Sequence, residues 1–342
     1  MSDPGNDLGI GIAGLGFMGR THLESHRKAE RSGCAVRVAA VCDQDAGRFE
    51  ATDAGGNLGT GQAALDLDGV HKHTAFQALL DDADVDAISL CTHTDTHVDL
   101  AIQALEAGKH VLVEKPVATR AAEAERLAAV ARSSERVCMP AMCLRFWPGW
   151  SWLAEHVRAG TFGAPLSAVF RRLGSAPGWS AFYADTEKSG GALFDLHVHD
   201  ADFVRHAFGA PAAVHAHGTR THVTAAYRFA TGPPHVTAEG AWDQAPGLPF
   251  HMSYTVSFEE ASLSYELGRT PTLRLAVGEA CEEVALDHAT GYDHEVRHFA
   301  AACRGEVELQ ATVEESVGLT RMLEAEARSL ETGTEVELEG VR

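Results

Sequence analysis

Lysine is scarce in this chain. Only five of its 28 basic residues are lysine, against 48 acidic residues, for a formal net charge of −20 over 342 residues. So acidic a surface repels phosphate backbones and anionic bilayers, so neither nucleic acid nor a membrane is expected as a partner. Long apolar runs are also missing, and none reaches the ~20 residues that span a bilayer. The opening MSDPGNDLGIGIAG has no basic stretch followed by an apolar core, so it does not read as a secretory leader, and a cytoplasmic location is expected. The seven cysteines (34, 42, 91, 138, 143, 281 and 303) form an odd, scattered set without a CxxC pair. That argues against a disulfide framework and a structural zinc site, and no metal is expected. Disorder is excluded by a 45% hydrophobic content.

The length suits two domains of roughly 100–200 residues each. The first part alternates short apolar runs with helical stretches. Leu8–Ala13 reads as a buried parallel strand, followed by a helix from Gly19 to Ser32, the run Val36–Cys42, and a helix over Asp45–Ala54. A Gly-rich loop, a helix over Thr74–Asp81, a strand over Val85–Cys91, a helix from His97 to Ala107, a strand over His110–Glu114 and an Ala-rich helix to Ser133 complete the pattern. This β-α order predicts a parallel, doubly wound sheet in a domain spanning residues 1–142. Residues 143–342 read as an α+β domain with a large, mostly antiparallel sheet. Its strands are expected at Leu166–Arg172, Ala213–His217, His222–Arg228, His235–Trp242, His251–Phe258 and Ala261–Tyr265. Helices over Gly191–Ala207, Asp293–Cys303 and Thr312–Leu330 flank it.

Gly14-Leu15-Gly16-Phe17-Met18-Gly19 follows the first strand and opens a helix. In that context the first glycine turns the chain, the second admits a pyrophosphate against the backbone, and the third lets helix and strand pack closely; the helix dipole favours the anion. Asp43 closes the second strand, where a carboxylate accepts from both adenosine-ribose hydroxyls and repels a 2′-phosphate, favouring NAD. Arg48, close by, leaves NADP open. Thr92-His93-Thr94-Asp95-Thr96-His97 leaves one strand for a helix, a place that borders a cofactor crevice. Glu114 and Lys115 stand at the exit of the next strand.

The glycine turn, the run Ala101–Pro116 (AIQALEAGKHVLVEKP) and Gly190–Asp200 (GGALFDLHVHD) resemble the Gfo/Idh/MocA oxidoreductases, which include glucose–fructose oxidoreductase and inositol dehydrogenase. Arg145-Phe146-Trp147-Pro148 and the acidic C-terminal helix fit the same resemblance. His93 departs from it, standing where the family usually has proline. The resemblance implies a Rossmann domain and a catalytic set of Lys115, Asp195 and His199. Helical spacing alone leaves His197/Asp200 and Asp202/His206 as rivals, and only the resemblance selects Asp195 and His199. It further implies cofactor contacts from Gly14, Gly16, Phe17, Met18, Gly19, Asp43, Gln44, Arg48, Thr92, His93, His97, Glu114, Lys115 and Arg145. Arg145 has two other uses open to it, a substrate carboxylate or a structural one.

The reaction implied is hydride transfer between nicotinamide and a secondary hydroxyl or ketone of a sugar, sugar derivative or cyclitol. Lys115, Trp179, Tyr183, Asp195, His199 and Tyr292 would meet that substrate. Aromatic faces suit the C–H faces of sugar rings, although Trp150 and Trp152 read as core. Redox cycling in the manner of NAD-dependent glycosidases, and a dinucleotide sensor without turnover, are the alternatives. A homodimer or homotetramer is expected.

Overall fold

The computed structural model describes residues 7–51, 56, 65–178 and 180–338. They divide into two compact units. The first runs to Met142 and takes in Gly178–Ala181 and Thr290–Val317; the second holds Cys143–Pro177, Phe182–Ala289 and the chain from Gly318.

In the first unit β1 (Leu8–Ala13), α1 (Phe17–Arg31), β2 (Val36–Cys42), β3 (His71–His73), α2 (Phe76–Leu80), β4 (Ala87–Leu90), α3 (His97–Glu106), β5 (His110–Val113), α4 (Ala121–Ser133) and β6 (Cys138–Pro140) follow one another. Among the described residues the six strands form one sheet in the order β3-β2-β1-β4-β5-β6, and every neighbouring pair is parallel. This is the doubly wound dinucleotide order, with the reversal between β1 and β4. The central strands are apolar throughout because helices cover both faces. Ile88, Leu90, Val111, Val113 and Leu127 are among the core side chains.

Two local expectations change. The first helix opens at Phe17, with Gly16 as its N-cap, so the last residues of the glycine motif already form its first turn. Where a helix was expected over Asp45–Ala54, the described residues show a short 3-10 turn, Ala46–Phe49, fixed by the Asp45 carboxylate accepting from the Gly47 amide at 2.9 Å. The Gly-rich loop after it falls largely outside the described residues.

The second unit contains α5 (Trp150–Ala159), β7 (Pro165–Leu173), α6 (Thr186–Ser189), α7 (Gly191–Asp195), α8 (Val198–Phe208), β8 (Ala213–Gly218), β9 (His222–Arg228), β10 (His235–Ala241), β11 (His251–Phe258), β12 (Ser262–Glu266), β13 (Leu273–Val277) and β14 (Ala280–Glu283). Then α9 (Gly291–Cys303) returns to the first unit, and α10 (Val313–Thr332) and β15 (Val336–Glu337) close the described chain. The nine described strands run β14-β13-β12-β11-β7-β10-β9-β8-β15, antiparallel except for β7 beside β10. Period-two burial marks one covered face: on β9 Val223, Ala225 and Tyr227 are buried while Thr224, Ala226 and Arg228 are exposed. Trp150 is the fully buried centre of that core, ringed by Phe170, Phe203, Tyr254 and Tyr265. Among the described residues no helix is long and apolar enough to cross a membrane.

The return of α9 differs from the expected division at residue 142, which placed it in the second domain. Its cap explains the return. Asp293 closes a capping box with Thr290, accepts from the Ser25 hydroxyl of α1 at 2.8 Å, and lies 3.4 Å from the Lys28 ammonium. The single helix expected over Gly191–Ala207 is also broken, into α7 and α8. The amides of Leu196 and His197 both bond the Ala192 carbonyl, and Gly240 on β10 leaves the room that the His197 side chain occupies.

Candidate active site

The glycine turn fits a dinucleotide on its own geometry. Gly14 has φ +86°, and a Cβ there would lie 2.5 Å from the Cys91 carbonyl oxygen. A Cβ on Gly19 would fall 1.7 Å from the Gly14 oxygen, so α1 approaches the turn as closely as backbone allows. At Gly16 the added atom would meet nothing within 4 Å, so the second glycine faces open space. No side chain caps the N-terminus of α1, and its first turn has no acidic residue, which leaves the helix dipole to an incoming anion. Phe17 and Met18 sit half-buried in that turn. Asp43 is held toward it, one carboxylate oxygen accepting from the Leu15 amide at 2.8 Å and the other from Asp45 at 3.0 Å. Gln44 is exposed, and Arg48 is half-buried with Nε 4.0 Å from the Asp45 carboxylate.

The loops after β4 and β5 carry the next group. Thr92 and Thr96 share a hydroxyl hydrogen bond of 2.8 Å, and His93 is exposed. His97 is buried, and both of its ring nitrogens face main-chain carbonyls, Nδ1 to Pro116 at 2.9 Å and Nε2 to Thr92 at 3.0 Å. Glu114 is buried too: one oxygen lies 3.0 Å from His22 Nε2 and the other accepts from the Lys115 amide at 3.0 Å. Burial would raise the Glu114 carboxyl, but the His22 hydrogen bond and the nearby Lys115 hold it below the usual carboxylate range. The side chains of His97 and Glu114, both expected at the cofactor, thus brace the loops that carry Thr92 and Lys115. Lys115 itself is half-exposed at the exit of β5. Tyr292, expected at the substrate, is buried on α9.

In the second unit, the ten residues from Gly191 to Asp200 leave two partly exposed, Asp195 and His199. Three of the four rival groups are committed elsewhere, and the fourth, His206, is half-buried. His197 is fully buried 3.0 Å from the Glu326 carboxylate, Asp200 pairs with Arg172 at 2.7 Å, and Asp202 receives Arg145 at 2.6 and 2.9 Å. The last contact gives Arg145 the structural carboxylate among its three expected uses. The buried guanidinium is forked on Asp202 within its own unit. His199 Nδ1 lies 3.9 Å from the Cys143 sulfur. Tyr183 packs edge-on against Trp242 at 5.7 Å, beside Ala192 and Leu196 at the foot of α7. Trp179 lies outside the described residues.

Two residues of this framework escape a sequence reading. His22 and His26 stand on the buried face of α1, bonded to Glu114 and to the Ser89 hydroxyl. Their signal in the sequence is a polar pair at i and i+4 on the apolar side of an amphipathic helix.

Residues 8–142 match the oxidoreductase family with an NAD-binding Rossmann fold, and residues 150–264 match the Gfo/Idh/MocA C-terminal domain. The chain belongs to the Gfo/Idh/MocA family of oxidoreductases. It is 28% identical to 1,5-anhydro-D-fructose reductase of Ensifer adhaerens over 309 residues, covering 82% of this chain and 88% of that protein. It is 29% identical to inositol 2-dehydrogenase of Salmonella typhimurium over 198 residues, 57% of this chain and 53% of that protein. The chain thus spans about half the length of that inositol dehydrogenase. Levoglucosan dehydrogenase in complex with NADH shares the fold, with a TM-score of 0.82 at 20% identity over 97% of this chain and 99% of that one.

Proposed function

We propose that the protein is an NAD-dependent dehydrogenase or reductase acting on a secondary hydroxyl or ketone of a sugar, sugar derivative or cyclitol. One observation carries this reading. In the stretch from Gly191 to Asp200 the groups left partly exposed are a carboxylate and an imidazole, Asp195 and His199, while His197 and Asp200, the rivals within that stretch, are buried in ion pairs. The names of the anhydrofructose and inositol relatives support the substrate class.

When bound, the nicotinamide would supply the hydride acceptor or donor. His199 takes the hydroxyl proton during oxidation and gives it back during reduction, since imidazole titrates near neutral pH. Lys115 donates to the same oxygen as negative charge builds on it. Asp195, four residues before His199, orients the hydroxyl. The Gly14–Gly19 turn would hold the pyrophosphate and Asp43 the adenosine ribose.

Titration with NAD and with NADP, followed by NADH absorbance against a panel of sugars, sugar acids and inositols, tests the reading. It predicts tighter binding of NAD and net NADH formation with at least one ring polyol. Tight NAD binding with no turnover across the panel would overturn it in favour of a retained-cofactor cycle or a sensor.

A further inference from the structure

The edge strand of the first sheet carries a cluster that hydride transfer does not use. His71 and His73 lie two residues apart on β3, so their side chains leave the same face of the strand. Both imidazoles point at one oxygen of Asp82: His71 Nδ1 at 2.8 Å and His73 Nε2 at 2.9 Å. The other Asp82 oxygen accepts from the Asp84 amide at 3.0 Å, which fixes the carboxylate plane. The carboxylate is nearly buried, at 8% exposure, while the His71 ring is half-exposed and open to solvent on one side. Lys109, just before β5, spends its ammonium on the carbonyls of Asp82 and Val85.

We propose that His71, His73 and Asp82 form a binding site for a divalent transition-metal ion of the zinc class. The three donor atoms lie within 4.8 Å of one another, and a tetrahedral zinc ion needs them about 3.3 Å apart around bonds of about 2.0–2.1 Å. Small side-chain rotations bring them there. Two imidazoles and one carboxylate match zinc, cobalt or nickel. Magnesium and calcium ask for six or more oxygens. A carboxylate near His71 can serve as an outer partner once the ring turns toward it. The free side of the His71 ring, Nε2, faces the Asp84 carboxylate at 4.0 Å, and Asp84 is held by Arg37 at 3.0 Å. A carboxylate behind a ligating histidine orients the ring and raises its basicity. Three protein ligands leave the fourth position to water.

The ion's effect follows from where the strand sits. β3 is short and polar, and among the described residues it pairs on one side only, with β2. The His73 carbonyl accepts from the Asp43 amide at 3.1 Å, so pinning β3 also steadies the residue that ends β2. An ion that binds the folded chain stabilises it by mass action.

The test uses the full-length, tag-free protein stripped with EDTA. Zinc chloride is titrated calorimetrically, and cobalt chloride is followed by its visible d–d absorption. The wild type is expected to bind one ion per chain, with tetrahedral-type cobalt bands and a zinc-dependent rise in melting temperature. His71→Ala, a half-exposed position that leaves the fold intact, should lose the bands and the thermal shift. Asp84→Asn should keep the stoichiometry and weaken affinity about tenfold, the scale of an outer-partner loss. No stoichiometric ion on the wild type, or unchanged binding in His71→Ala, would overturn the assignment; the second result would put the ion on other histidines.

Discussion

His97 Nδ1 lies 2.9 Å from the carbonyl oxygen of Pro116, and the opposite nitrogen of the same buried ring faces the Thr92 carbonyl at 3.0 Å. A single imidazole therefore ties the loop after β4 to the residue that follows Lys115. Burial keeps this imidazole neutral with one N–H to donate, so His97→Leu removes one hydrogen bond and leaves one of the two carbonyls without its donor. A buried unsatisfied acceptor costs about 1–3 kcal/mol, so urea unfolding should show a loss of about 1 kcal/mol or more. A loss under about 0.5 kcal/mol, the scale of an ordinary surface substitution, would contradict the bridging role.

The glycine turn separates fold from cofactor. Gly16 has open space where a Cβ would go and an ordinary negative φ, whereas a Cβ on Gly19 collides with the Gly14 carbonyl. Gly16→Ala should leave the melting temperature unchanged and raise the NAD dissociation constant. Gly19→Ala should destabilise the fold itself. Unaltered NAD affinity in Gly16→Ala would remove the pyrophosphate from this turn.

Asp43 is the expected discriminator between cofactors. Hydrogen bonds to a charged group contribute about 1.5–3 kcal/mol, so Asp43→Ser should weaken NAD about tenfold or more and narrow the gap to NADP. Isothermal titration with both cofactors reads this directly. Equal NAD affinity in the variant would show that the carboxylate serves only its bonds to Leu15 and Asp45.

Acid should destabilise the protein through its buried histidines. Burial, with the charge of His22 beside it, lowers the His26 pKa to about 3. Between that value and the ordinary ~6.5 the unfolded chain holds the extra proton, so stability falls as pH is lowered through this window, by up to about 1.4 kcal/mol per unit. His97, His110 and His298, all lowered by burial, act in the same sense. His197, which burial would lower but the Glu326 carboxylate holds raised, acts in the opposite one. Going from pH 7 to pH 5, the wild type should lose about 2 kcal/mol more than His26→Gln in urea unfolding. Equal losses would count against a neutral buried His26.

Much of this was legible in the sequence, and the failures have physical causes. The apolar strands β1, β2, β4 and β5 and the glycine turn announce themselves because burial on both faces demands continuous hydrophobic residues. β3 is His-Lys-His on a sheet edge and carries no such signal. The return of α9 to the first unit rests on a hydrogen bond between Ser25 and Asp293, a pairing across most of the chain that no local pattern encodes. Spacing did not choose among the acidic and histidine pairs after Gly190. Burial sets His197, Asp200 and Asp202 apart from Asp195 and His199, because Arg172, Arg145 and Glu326, which pair with those three, come from other elements.

The most direct measurement is steady-state turnover and NAD affinity for His199→Ala and Asp200→Asn, using whichever polyol the wild type oxidises. Loss of general acid–base help predicts a kcat drop of about 10²–10⁴-fold in His199→Ala, with NAD affinity and melting temperature held. Asp200→Asn should instead unfold at lower denaturant, since breaking a buried pair costs about 3–5 kcal/mol. Wild-type turnover in His199→Ala would contradict the central claim that this imidazole moves the substrate proton.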